Sequence, residues 1–282
     1  MLFFYPGGLM FLDEIIRRSL EEDLGSGDIT TKYLDLEPTI ATAFMIAKAE
    51  GVIAGAEIAK MVFKTVDPDL KITLYRKDGD SVVKGDEIMR IEGKPSSILQ
   101  GERTALNFLQ RLSGIATKTN RMVKLIEGTK TKLLDTRKTT PLLRSLEKHA
   151  VRIGGGFNHR AGLFDMILIK ENHIRAAGGI TSAINRVKQH NTTYRVEVEV
   201  TNAEEVKEAF TVGVDRIMLD NMSLKEIRAA VKAYGKKVEF EVSGGITEDN
   251  ILAYARTGVD FISSGALTHS YQSLDISLLF KE

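Results

Sequence analysis

Between Leu133 and His173 the chain reads LLDTRKTTPLLRSLEKHAVRIGGGFNHRAGLFDMILIKENH, which places Arg137, Lys138, His159, Arg160 and Lys170 at strand ends and glycine-rich turns. The formal net charge of the whole chain is only +1, so this knot of cations is cancelled elsewhere and reads as a site for a small anion. Arginine offers a planar fork suited to carboxylate or phosphate, whereas lysine acts as a point charge. The hydroxyls of Thr136, Thr139 and Thr140 flank the first pair, and three glycines before Phe157 let the backbone come close to a ligand. Lys170 ends the apolar run MILIK, where a lysine serves either as an anion clamp or as an imine-forming nucleophile. The spacing leaves both open.

Acids follow further along. In RVEVEV the two-residue period of a strand puts Arg195, Glu197 and Glu199 on one face and Val196, Val198 and Val200 on the other. Acids inside a buried strand need cations or donors, because uncompensated burial of charge is costly. Glu197 suits a structural ion pair as well as a functional role. Glu199 lies nearer the strand's end and pairs with Asp220 of the next strand, so the two could hold a divalent cation or face a cationic transition state. The turns Ser243-Gly244-Gly245 and Ser263-Ser264-Gly265-Ala266 follow two later strands, and their backbone N–H groups suit a phosphate, with His269 just beyond.

The elements that must carry these residues are legible as alternation. After Lys132 the β-rich runs LLDT, MILIK, RVEVEV, RIMLDN, VEFEV and DFISS alternate with amphipathic helices such as AEEVKEAFTVG and SLKEIRAAVKAYG. That pattern means βαβ units and a parallel sheet. No GxGxxG follows the first strand, which favours an incomplete or modified (β/α) barrel over an open doubly wound sheet, with LDISLLF as a seventh strand. Asp135, Lys170, Glu199, Asp220, Ser243 and Ser264 then fall at or just past successive strand ends, the face that carries chemistry in a barrel.

Upstream, apolar residues from Met10 to Glu22 recur at helical spacing before a stop at Gly25. ATAFMIAKAE, GVIAGAEIAKMVF, KITLYRK and EIMRIEG read as short β-type runs of an α+β sandwich, and Ser96–Glu127 as a long helix broken near Ser113-Gly114. The expected organisation is α/β, with an N-terminal α+β sandwich over residues 1–114, a TIM-like barrel over 115–282, and a C-terminal tail able to pack back on the first domain.

Composition narrows the function. At 43% hydrophobic and 27% charged residues the chain reads as globular, and its near-neutral charge argues against nucleic acid or an acidic membrane as partner. Cysteine is absent, which rules out disulfides, thiolate nucleophiles and Cys-ligated metals and fits a cytoplasmic setting. The opening MLFFYPGGLMFL lacks a basic lead and is interrupted by Pro6, Gly7 and Gly8, so it reads as a packing arm rather than a signal peptide, and no apolar run is long enough to span a membrane.

Read in order, EDLGSGDITT, GERTALNFLQRLSGIAT, LLDTRKTTP, GGGFNHRAGLFDMILIKENHI, VEVEV, IMLDN, EVSGGI and SSGALTHS closely resemble the decarboxylating quinolinate phosphoribosyltransferase family from about Leu20 to Leu279. The resemblance implies a type II phosphoribosyltransferase fold and an obligate homodimer, or larger assembly, with shared active sites. The reaction it implies converts quinolinate and phosphoribosyl pyrophosphate, with Mg2+, to nicotinate mononucleotide, pyrophosphate and carbon dioxide. By the same resemblance Arg137, His159, Arg160 and Lys170 hold quinolinate together with Arg103 of the partner subunit. Lys138, Glu199 and Asp220 then face the phosphoribosyl pyrophosphate, Glu199 and Asp220 with its metal, and Ser243, Gly244, Gly245, Ser264, Gly265 and His269 receive its phosphate. The chain departs from the family's usual pattern at Leu142, where glycine is common, at His149, where tyrosine is common, and at Lys48, where arginine is common. Three other readings compete: a related branch associated with molybdate-transport operons and acting on another substrate, a Schiff-base aldolase using Lys170, and a non-catalytic phosphosugar-binding protein.

Overall fold

The computed structural model describes residues 8–35, 39–190 and 193–281; most of the expected N-terminal arm lies outside them. In chain order, α1 (Gly8–Leu24) and α2 (Ile29–Leu34) precede β1 (Ala41–Ala47), β2 (Gly51–Val52), α3 (Ala56–Val66), β3 (Lys71–Leu74), β4 (Ser81–Val82), β5 (Glu87–Gly93) and the long α4 (Pro95–Leu125). Strands and helices then alternate through β6 (Lys132–Leu134), α5 (Arg144–Ile153), β7 (Ile167–Ile169), α6 (Glu171–Ala177), α7 (Ile180–His190), β8 (Val196–Val200) and α8 (Ala203–Val212). The chain continues with β9 (Arg216–Asp220), α9 (Leu224–Tyr234), β10 (Glu239–Ser243), α10 (Ile251–Ala255), β11 (Phe261–Ser263), α11 (Ala266–His269) and β12 (Ile276–Phe280). Two compact units result: one holds the described residues up to Lys118 with Ser145–Gly154 and those from Tyr271 onward, the other Thr119–Arg144 and Gly155–Ser270. In space the first unit thus also takes in most of α5 and the end of the chain.

The first unit is built on a four-stranded antiparallel sheet in the order β12-β1-β5-β3. Its core buries Met45, Ile58, Phe63, Met89 and Ile91. The run GVIAGAEIAKMVF, expected as a strand, is mostly the helix α3. Only Gly51 and Val52 pair as β2, and from Ala56 the buried residues Ala56, Ala59, Val62 and Phe63 return every three or four positions. Gly55 opens that helix at φ +92°, and its N–H and that of Ala56 both donate to the Asp78 carboxylate, 2.8 and 2.9 Å away. Asp78 also meets Nε2 of His149 at 3.1 Å. Burial alone would raise its carboxyl, but the hydrogen bonds from His149 and from these two N–H groups hold it below the usual range. Helix α4 runs unbroken through Ser113-Gly114. The glycine is there for space, since a Cβ would lie 2.2 Å from the carbonyl oxygen of Gln272. LDISLLF does not extend the parallel sheet either: as β12 it pairs antiparallel with β1, Ala47 opposite Ile276.

The second unit holds the six expected βα strands as one parallel sheet in the order β6-β11-β10-β9-β8-β7, and Phe157 adds a bridge beside Leu134 on β6. The sheet is curled, because His159, two residues past that bridge, touches Glu197 on β8 and Glu241 on β10. Val196, Val198, Val200, Ile217 and Leu219 are buried on the other face, while Val206, Ala209, Ile227 and Ala230 are the buried stripes of α8 and α9. Local signals start these helices: Asn202 caps α8 by accepting from Glu205 N–H, and Ser223 with Glu226 forms a capping box on α9. The second unit is therefore an incomplete (β/α) barrel with its strand ends on one rim.

Candidate active site

A cavity of about 720 Å3 opens at that rim, within the second unit. It gathers Arg137, Lys138, His159, Arg160, Lys170, Glu199, Asp220, Ser243, Gly244, Gly245, Ser264, Gly265 and His269, all of which the sequence had singled out. Asp135 is not among the lining residues. Fully buried, it accepts from Asn158 Nδ2 at 2.6 Å and from the His159 N–H at 2.9 Å, and so braces the loop. Arg103 lies exposed on α4 in the first unit.

The cationic side is held on two laced loops. Lys138 N–H donates to the Thr136 hydroxyl at 3.0 Å and the Lys138 carbonyl accepts from Thr268 at 2.7 Å, which leaves both Arg137 and Lys138 exposed. Arg144 ties this loop to the next, donating to the Thr139 hydroxyl and to the Ala161 carbonyl, each at 3.0 Å. Leu142 takes φ +67°, a left-handed conformation that costs a leucine roughly 1 to 2 kcal/mol and that glycine adopts freely. Arg160 is buried, and burial followed by repulsion from Arg137 pushes its guanidinium below its ordinary pKa. A buried guanidinium whose charge a neighbouring arginine disfavours is a group that an anion would relieve.

Lys170, at the end of MILIK, lines the cavity. Its side chain is 45% exposed and ion-paired with Glu199, which is not the dry apolar setting an imine-forming amine needs. On the acidic side, burial and then the neighbouring Glu199 push the Asp220 carboxyl up, while Asn221 Nδ2 donates to it at 2.9 Å. Asn221 was not picked out from the sequence. It takes φ +53°, which asparagine tolerates, its N–H donates to the Ser243 carbonyl at 3.0 Å, and its side chain lies against Gly244. Gly244 and Gly245 have φ of +97° and +59°.

Set into the cavity wall is a second cluster that sequence reading caught only in part. His159 Nε2 lies 3.0 Å from Glu197 and 3.5 Å from Glu241, and Arg216 donates to Glu241 at 3.0 Å. Burial pushes both carboxyls up to about 7, and the Glu197 charge further disfavours that of Glu241. Ligand atoms of His159, Glu197 and Glu241 all fall within 4.8 Å of one another, but the Arg216 guanidinium already compensates the acids there. Glu241 follows from the same two-residue period as Glu197 and Glu199, since VEFEV repeats the alternation of VEVEV.

Residues 28–113 match the N-terminal domain of quinolinate phosphoribosyl transferase, and residues 115–279 match its C-terminal domain. The probable nicotinate-nucleotide pyrophosphorylase (carboxylating) of Bacillus subtilis is 44% identical over 95% of this chain and 92% of its own length. The chloroplastic nicotinate-nucleotide pyrophosphorylase (carboxylating) of Arabidopsis thaliana is also 44% identical, over 95% of this chain and 82% of its own. The solved nicotinate-nucleotide pyrophosphorylase of Francisella tularensis superposes with a TM-score of 0.93 at 44% identity, covering 100% of this chain and 99% of that one. Matched in both domains and along nearly its whole length, the chain belongs to the quinolinate phosphoribosyltransferase family.

Proposed function

We propose that the chain transfers a phosphoribosyl group from phosphoribosyl pyrophosphate to quinolinate with loss of carbon dioxide, giving nicotinate mononucleotide and pyrophosphate. The observation that carries this reading is the buried Arg160, its charge disfavoured by Arg137, in a cavity that both line with Lys138, Lys170, Glu199 and Asp220. A pyridine dicarboxylate supplies one negative group for each guanidinium.

As pyrophosphate leaves the anomeric carbon, positive charge grows on the ribose. Glu199 and Asp220 lie on the rim where they stabilise it, and Lys138 neutralises the departing oxygens. The pyridine nitrogen forms the new bond, and its quaternisation lets the adjacent carboxylate leave as carbon dioxide because the ring carries the resulting carbanion until a proton arrives. Positioning does most of the work. The turns at Ser243-Gly244-Gly245 and Ser264-Gly265, with His269, would receive the 5'-phosphate. Asp220, whose charge the neighbouring Glu199 disfavours, and Glu199 itself are a carboxylate pair that suits magnesium, which takes one or two protein carboxylates beside substrate phosphates. Glu199 and Asp220 would hold it, and it would add charge neutralisation at the leaving group.

The exposed Arg103 supports the further reading of a homodimer, or a larger assembly, in which Arg103 of the partner subunit completes each quinolinate site. Among the described residues no helix is long and apolar enough to cross a membrane, and the absence of cysteine fits the cytoplasm as the location we propose. Mass spectrometry of products after incubation with quinolinate, phosphoribosyl pyrophosphate and magnesium tests the reaction. Nicotinate mononucleotide should form from quinolinate and poorly from nicotinic acid. Equal turnover of the two acids would overturn the substrate assignment.

A further inference from the structure

The family resemblance casts His159 as one of the groups that hold quinolinate, yet both of its ring nitrogens are already engaged inside the protein. Nδ1 accepts the N–H of Arg160 at 2.7 Å, so no proton can sit on that nitrogen without two N–H groups pointing at each other. Nε2 lies 3.0 Å from Glu197 Oε2 and must donate to it. The His159 side chain is 6% exposed, so water does not compete for these contacts. Among the charged groups around the ring are Glu197 on β8, Arg216 on β9 and Glu241 on β10; Arg216 donates to Glu241, and Arg160 and Lys170 also act on the Glu197 charge.

Resting on the quinolinate reading above, we propose that Glu197 and Glu241 are positioning residues that fix His159 as a neutral imidazole with its proton on Nε2. The ring in turn fixes the backbone of Arg160. Rotating the ring would leave a buried Arg160 N–H without its acceptor and shift the residue whose guanidinium faces the dicarboxylate. His159 therefore contributes shape and anchoring to the substrate wall, and the positive charge there comes from Arg137, Arg160 and the other cations of the site rather than from the imidazole.

Two measurements on the full-length protein test this. Nitrogen NMR of uniformly labelled protein, with the His159 signal identified by its loss in His159→Gln, should show the neutral Nε2–H tautomer over roughly pH 6 to 8. An imidazolium, or a proton on Nδ1, would overturn the proposal. This readout needs no substrate, so it stands apart from failure of the quinolinate assignment. Kinetically, Glu197→Met should raise the KM for quinolinate about tenfold or more, the effect of losing one orienting hydrogen bond, with the KM for phosphoribosyl pyrophosphate unchanged. Glu197→Gln, whose carbonyl oxygen still accepts from Nε2–H, should stay near wild type. A Gln variant as impaired as the Met variant, or a folded Met variant with unchanged KM, would show that orientation of the ring is not what Glu197 supplies. If Glu197→Met fails to fold, the Gln variant and the NMR signature decide.

Discussion

Replacing Gly244 by alanine tests whether the turn after β10 and the acid at the end of β9 are one mechanical piece. A Cβ at Gly244 would sit 2.1 Å from Asn221 Oδ1 and 2.6 Å from its Cγ, whereas a Cβ at Gly245 would meet nothing within 4 Å. Both glycines have positive φ, so each substitution pays a backbone penalty of roughly 1 to 2 kcal/mol. Gly244→Ala must also displace the Asn221 side chain, whose Nδ2 donates to Asp220 at 2.9 Å. Hydrogen bonds to charged groups are worth about 1.5 to 3 kcal/mol, and the exposure of Asn221 puts this one at about 1 to 2. Gly244→Ala should therefore destabilise by about 2 to 4 kcal/mol against about 1 to 2 for Gly245→Ala. Urea unfolding without ligands gives both values, provided the slope with denaturant is unchanged. Asn221→Gly tolerates the same backbone angle and removes the obstacle, so in its background the excess cost of Gly244→Ala should vanish. Equal costs for the two alanines, or an excess that survives Asn221→Gly, would refute the coupling.

Other outcomes follow from the same geometry. Lys138→Ala should lower kcat by about 100-fold with little change in quinolinate affinity, whereas Arg160→Ala should weaken quinolinate binding about 10- to 150-fold; steady-state kinetics with each substrate varied would expose identical signatures. Mixing Arg103→Ala with Lys170→Ala under subunit exchange should restore roughly a quarter of wild-type activity, because half of the dimers are mixed and each has one intact site; no rescue, with heterodimers seen by native mass spectrometry, would remove Arg103 from a shared site. Leu142→Gly should stabilise by about 0.5 to 1 kcal/mol, since the leucine is 71% exposed and pays for its φ of +67° with little burial in return; a loss of stability in thermal unfolding would contradict this. Glu241 has an ordinary value of 4.5 and is pushed up to about 7 in the fold, so the native protein binds the extra proton. That contribution, up to about 3 kcal/mol, is complete below pH 4.5 and lost as pH rises through 7. Melting temperature should fall from pH 5 to pH 8, and Glu241→Gln should flatten part of the fall.

What could be read from the residues divides along physical lines. The parallel strands were legible because both of their faces are buried, which gives short β-branched runs punctuated by long amphipathic helices. The polar residues at their ends needed only the rule that strand termini share a rim. GVIAGAEIAKMVF misled because its apolar density suits a strand as well as a helix, and the cue that decides, an Asp78 carboxylate receiving the first N–H groups, comes from a residue far downstream. Gly114 looked like a break because a close-approach glycine and a helix breaker are the same letter. LDISLLF lies next to the last βα unit in sequence but pairs with β1, a choice made by tertiary contacts. At the site, residue types were visible but orientations were not: nothing in GGGFNHR tells that the histidine turns both nitrogens inward or that the lysine of MILIK lies half exposed.

The pairing of β1 with β12 also bears on how the chain is made. Ala47 emerges from a ribosome long before its partner Ile276, and all of the barrel strands are synthesised in between. Throughout that interval the first sheet has an open edge along Ala43–Ala47, the kind of edge that recruits strands from other chains. At about 5 to 20 residues per second the exposure lasts for tens of seconds at the slower rate. A nascent chain stalled before Ile276 would therefore be a template for aggregation even with its barrel already formed, and chaperone demand should track the synthesis of the last strand rather than of the catalytic rim.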